Sequence, residues 1–272
     1  MKTISFFGLL LLVLVLLPLC SDASSAAGTE TLLGVVGPDF VVLGADSSMA
    51  SQGLALTSSN LDKIMVLLDP GKRTTTAATT NIHEQQQVIV AAAAGNAADA
   101  DRLLGQLASH AALEEFQASV GCDVEYIHAK DQQHHAFFSP PGVDARGVAN
   151  LARQMIAESL RRAPMSVCLL VAGIVCVGRC MEPRLFWLDE YGSIQNIKYG
   201  AHGYGANFAL SILDQGYKAD LTKEEAVELI KNCFQQLRTR YIINSPQPPC
   251  IKCIDAINGC QLIQQQQQQQ QQ

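Results

Sequence analysis

The stretch TLLGVVGPDFVVLGAD, Thr31 to Asp46, holds two apolar runs, Thr31 to Val36 and Phe40 to Ala45, separated by Gly37-Pro38-Asp39. Glycine, proline and aspartate supply turn chemistry and each run has strand length, so the stretch reads as a β-hairpin. Downstream, Lys63 to Leu68 and Gln87 to Ala93 are two more apolar runs, short enough for buried strands. Gly71 to Gln86, between them, is rich in Thr, Ala and Gln and reads as an expanded loop.

Helical spacing then takes over. Asn96 is placed to cap a helix over Ala97 to Phe116, with Leu103, Leu104, Leu107 and Leu113 near one side. Residues 117 to 142, with His134-His135 and Pro140-Pro141, read as irregular. A second helix over Ala145 to Arg162 puts Val148, Leu151, Met155, Ile156 and Leu160 on one stripe. Ser166 to Val177 is an almost unbroken apolar run that fits a central strand. Leu185 to Leu188 and Ile194 to Lys198 flank Tyr191-Gly192 as another hairpin. A helix follows Gly205, over Ala206 to Asp214. Thr222-Lys-Glu-Glu225 has capping-box form and opens a helix from Lys223 to Tyr241. Ile251 to Ile257 and Gln261 to Ile263 close the chain as strands.

The order is strands, two helices, strands, two helices, strands. Two amphipathic helix pairs need two sheet faces to cover, so the expected class is α+β, a four-layer αββα sandwich with two mostly antiparallel sheets in the middle. At 272 residues the chain is near the upper size of one α/β domain. Its apolar fraction of 48% and charged fraction of 16% describe a globular chain. A net charge of −6 without a Lys/Arg stripe argues against a nucleic-acid partner, and Trp187 and the other aromatics form no stacking platform for bases.

Nine cysteines lack the dense spacing of a disulfide scaffold and read as reduced, buried small side chains. Cys250-Ile-Lys-Cys253 has C-x-x-C spacing, but Cys176 and Cys180 are a poor second pair and no histidine pair follows, so no metal site is expected. No cofactor is expected either. Met1 to Ala27 has the basic start, apolar core and small-residue end of a secretory signal, and the apolar run, Ile4 to Cys20, is slightly short of the roughly 20 residues that span a bilayer. Against secretion stand the lack of an Asn-x-Ser/Thr acceptor and of a disulfide framework. The organisation expected is a signal-like or spurious leader at 1–28, a domain at 29–263 with loops expanded at about 71–86 and 120–142, and a glutamine tail at 264–272.

Four segments together resemble a known family: Thr31 to Asp46, Leu61-Asp-Lys-Ile64, Ala94-Gly-Asn-Ala-Ala-Asp99, and Ala201-His-Gly-Tyr-Gly-Ala206 followed by Leu210-Ser-Ile-Leu-Asp214. They resemble the beta subunits of the 20S proteasome, most of all the beta type-2 kind at the beta 4 position of the ring. The resemblance runs from about Thr29 to Ile263 and implies the N-terminal-nucleophile hydrolase fold. It also implies alpha and beta subunits of the particle as partners, no stable membrane association, and a place in the cytoplasm and nucleus that conflicts with the leader.

Catalytic members of that family use a mature N-terminal threonine, whose hydroxyl attacks the peptide carbonyl while its own amine serves as base. Gly28-Thr29 is the matching dipeptide. Counting along the first strand puts Thr29 at the nucleophile position, whereas counting back from Asp46 puts Glu30 there. The strand count is preferred, since turns absorb insertions and a one-residue slip would turn the strand inside out. Asp46 and Lys63 match the charged residues near the nucleophile, and Gly95 matches the oxyanion donor. The rest departs: Tyr204 stands between Gly203 and Gly205 in place of serine, Asn244 and Gln247 replace an aspartate and a serine, and Ser48 replaces a basic residue. No catalytic residue is therefore expected, with Thr29, Asp46, Lys63 and Gly95 a vestigial set. The alternatives are an active threonine-type endopeptidase cut at Gly28-Thr29, or a secreted amidohydrolase of the same fold.

Overall fold

The structure is a computed structural model that describes residues 30–51, 55–58, 61–69, 88–128, 143–177, 180–240 and 248–264. The leader, the loop at 71–86 and the glutamine run after Gln264 lie outside the described residues.

Two five-stranded antiparallel sheets form the centre. In the first, β1 (Thr31–Val36) and β2 (Phe40–Ala45) make the expected hairpin, with Leu33 opposite Gly44 and the turn closed by Gly37 N–H donating to the Phe40 carbonyl at 2.9 Å. β1 also pairs with β10 (Tyr199–Gly203), and β2 with β11 (Cys250–Asp255), which pairs with β12 (Gly259–Gln264). The order is β10-β1-β2-β11-β12. The second sheet runs β5 (Ile64–Leu68), β6 (Ile89–Gly95), β7 (Val167–Val177), β8 (Cys180–Leu188), β9 (Ile194–Ile197). A small hairpin, β3 (Met49–Ser51) and β4 (Ala55–Ser58), stands apart from both.

Strand periodicity explains why these runs are apolar throughout. Alternate residues of a strand face opposite sides, and here both sides are covered. Leu32, Val41, Leu43, Val90, Ala92, Leu170 and Ala172 meet in the space between the sheets. Their neighbours Leu33, Val42 and Ile251 face outward under α3 (Ala206–Gly216) and α4 (Lys223–Arg240). Ile89, Ala91, Leu169 and Val171 face the other way, under α1 (Ala97–His128) and α2 (Ala145–Ser159). Three apolar seams between four layers make the αββα sandwich that the element order predicts.

Helix entry points follow from local chemistry. The Asn96 carboxamide oxygen accepts the Ala98 and Asp99 N–H groups, and the Asp144 carboxylate accepts that of Gly147 at 2.6 Å. Thr222 and Glu225 close their capping box in both directions, at 2.9 and 3.3 Å.

Some boundaries depart from expectation. Helix α1 runs on to His128, so 117–128 is not the start of an irregular insertion. That segment contains one glycine and no proline, and a single glycine costs a helix about 1 kcal/mol without ending it. His134-His135 and the remainder of the insertion lie outside the described residues. Strands β3, β4 and β10 had no sequence counterpart. Tyr199-Gly-Ala-His-Gly203 lacks alternation, and its extended form comes from pairing with β1.

Candidate functional site

Lys63, immediately before β5, reaches from the second sheet to the opening of the first. Its ammonium lies 2.9 Å from Asp46 Oδ1, 2.6 Å from the Ser48 carbonyl and 3.2 Å from Glu30 Oε1. An ammonium has three N–H donors, and all three are matched. The Lys63 side chain is 3% exposed, so these contacts are made away from water. Asp46, directly after β2, also accepts the Thr31 N–H at 3.1 Å. Burial pushes its carboxyl above the ordinary value, although the Lys63 charge and hydrogen bond pull the other way. Two carboxylates thus share one ammonium.

Gly95 ends β6 and turns the chain into α1. Its φ of +127° is a conformation glycine adopts freely, and a Cβ there would sit 2.3 Å from the Ser166 carbonyl oxygen. Its N–H, the group matched to oxyanion stabilisation, donates to Glu30 Oε2 at 3.0 Å. Gly203, at φ +93°, closes the site from the other side: a Cβ there would fall 1.7 Å from the Glu30 carbonyl oxygen. That oxygen accepts the Tyr204 N–H at 3.2 Å, while the Tyr204 side chain is 57% exposed. Glu30 is therefore held through both carboxylate oxygens and its carbonyl.

Lys63 thus meets Asp46 directly, and Glu30 links Lys63 to Gly95. The residue placed between Lys63 and Gly95 is the one reached by counting back from Asp46. Thr29, Asn244 and Gln247 lie outside the described residues. Ser48 contributes its carbonyl to Lys63.

Cys250, Cys253 and His202 are buried within the fold. Cys250 faces the seam between the sheets and Cys253 the seam under the helices, because residues three apart on a strand point to opposite faces. Burial pushes their thiols up to about 12 and about 11. The two thiols thus lie in different seams and do not converge on one point. Among the described residues no group of three His, Cys, Asp or Glu side chains is placed to hold a metal ion. His202 stacks on Trp187, whose indole N–H donates to the Ala201 carbonyl at 3.2 Å.

A family model described as proteasome subunit matches residues 124–247. The chain is similar to the proteasome subunit beta type-2 of Oryza sativa subsp. japonica, 28% identical over 226 residues that cover 83% of this chain and 86% of the relative. It is 31% identical over 216 residues to the probable proteasome subunit beta type-4 of Schizosaccharomyces pombe, covering 79% of this chain and 90% of the relative. To the proteasome subunit beta type-4 of Saccharomyces cerevisiae it is 34% identical over 146 residues, 52% of this chain and 72% of the relative. With that likeness extending over most of the fission-yeast protein, on two antiparallel sheets enclosed by helices, the chain belongs to the proteasome beta subunit family.

Proposed function

We propose that this chain is a non-catalytic structural beta subunit of the 20S core particle, supporting the ring in which other subunits perform threonine-type proteolysis, ubiquitin-dependent degradation included. The observation that carries the reading is the Glu30 carboxylate. A threonine protease needs an unoccupied donor at the position where the oxyanion develops, and a lysine free to act on the nucleophile and its amine. Here the Gly95 N–H is already bonded to Glu30 Oε2, and the Lys63 ammonium has its donors matched by Glu30, Asp46 and Ser48. Tyr204 stands where a small hydroxyl would help orient the amine, and it is more than half exposed. Residues that orient one reaction act as a unit, so missing members cost orders of magnitude in rate.

The domain proper is 29–263, flanked by the leader and the glutamine tail. Leu113 and Phe116 on α1, with Leu262 and Ile263 on β12, present large apolar side chains to solvent in the isolated chain, as surfaces buried by ring neighbours do. The partners are alpha subunits and other beta subunits, and the place is the cytoplasm and nucleus. No helix among the described residues is long and apolar enough to cross a membrane. Gly28-Thr29 with Asp46, Lys63 and Gly95 supports the second reading, an active endopeptidase. Isolation of the particle through a C-terminal tag on this chain tests both. Alpha and beta subunits should co-purify, and Thr29→Ala should leave the particle's peptidase activities unchanged. Loss of one activity in that variant would reassign the chain to the catalytic class.

A further inference from the structure

The Glu30 carboxylate is held as a ligand is held. One oxygen lies 3.2 Å from the Lys63 ammonium, and the other accepts the Gly95 N–H at 3.0 Å. Both donors belong to the second sheet, Lys63 before β5 and Gly95 at the end of β6, and the pairing of those two strands fixes their separation. Glu30 enters from the other sheet, just ahead of β1. Receptor and ligand therefore come from different layers, and the receptor's geometry does not depend on the Glu30 side chain. Gly95 is held at a φ of +127°, with the Ser166 carbonyl oxygen 2.3 Å from where a Cβ would stand, so the residue that carries this N–H has to be glycine. Lys63 stays anchored without Glu30, because Asp46 and the Ser48 carbonyl retain two of its three donors.

We propose that Lys63 Nζ and the Gly95 N–H form a carboxylate-binding cradle whose resident ligand is Glu30, and that shortening Glu30 opens it to a free small carboxylate. This rests on reading the site as closed to catalysis. Charge-assisted bonds from a buried ammonium and a backbone N–H, one to each oxygen, select a planar two-oxygen anion over a spherical one. Size selection follows from the covalent structure. Replacing Glu30 by alanine keeps Cβ and removes one carbon, the carboxyl carbon and its two oxygens, which is the heavy-atom framework of acetate. Longer acids carry carbons for which no space is vacated. Asp46 contributes opposing negative charge next to the cradle, so the free anion has to be supplied in excess, whereas Glu30 is tethered in place.

Thermal melting of the purified full chain and its Glu30→Ala variant tests the proposal, with sodium acetate titrated against sodium chloride at matched ionic strength. Ligands that bind the native state raise the melting temperature in a saturable way. The variant should melt several degrees below the parent and recover with acetate, less with butyrate and not with chloride. The parent, with its cradle filled, should respond equally to acetate and chloride. A Glu30→Ala variant no more responsive to acetate than to chloride would overturn the proposal. Should that variant not fold unaided, its refolding yield in acetate against chloride carries the same decision, and equal yields overturn it. Glu30→Gln, which fills the space without the charge, should gain nothing from acetate. Melting reports on the cradle alone. Covalent labelling of Thr29 by a threonine-directed electrophile would sink the non-catalytic reading while leaving an acetate response intact, so the two failures are distinguishable.

Discussion

His202 shows what one buried side chain does to the chain's response to acid. It is 4% exposed, lies against Trp187 with ring centroids 4.6 Å apart and planes 16° apart, and donates from Nε2 to the Leu169 carbonyl at 3.1 Å. Burial lowers its pKa from 6.5 to about 4, with the Leu169 hydrogen bond offsetting part of the effect. The folded state therefore resists protonation that the unfolded chain accepts. Stability from this residue is complete above pH 6.5 and is lost as pH falls to about 4, an effect of about 3 kcal/mol. Urea unfolding at pH 7 and pH 4 should show that loss in the parent, and His202→Gln should remove about that much of the difference. Equal pH dependence in both proteins would contradict the assignment. In the sequence His202 is a histidine in a glycine-flanked motif, with nothing to mark its burial. Asp46, Lys63 and Gly95 were legible because a family pattern names them. Glu30 was reachable by one of two residue counts, but its bonds to Lys63 and Gly95 span 33 and 65 positions and cross between sheets, which no local pattern encodes.

Elements were legible where local chemistry decides them. Asn96 and Thr222 were recognisable as caps because their side chains satisfy N–H groups a few residues away, and both do so. The Thr222 hydroxyl accepts the Glu225 N–H while the Glu225 carboxylate accepts that of Thr222. Thr222→Ala should therefore cost about 1 kcal/mol, the ordinary value of a lost cap. Thermal unfolding followed by circular dichroism should show a fall of a few degrees, and an unchanged midpoint would mean that α4 is held by packing alone. Where partners decide, the sequence was less informative. Strand β10 is extended because β1 lies beside it, and β3 and β4 are too short to carry a periodicity. The helix expected to end at Phe116 continues through Gly121 to His128, in a segment that holds no proline.

For the whole molecule, the four-layer architecture was legible from the order of elements, because apolar strands buried on both faces require a covering layer on each side. The second sheet is tied to the first by two lysines running in opposite directions. Lys63 reaches Asp46 and Glu30 from the start of β5, and Lys252 on β11 reaches back to Asp62 at 2.6 Å. Adjacent residues Asp62 and Lys63 thus carry both links, and one of them runs through the candidate site. Non-catalytic status requires an unreactive Thr29. Its most direct test is the intact mass of this chain, taken from the native particle before and after exposure to a threonine-directed epoxyketone. This chain should keep an unchanged mass while other beta subunits of the same particle gain the adduct. A chain beginning at Thr29 and carrying the adduct there would contradict it.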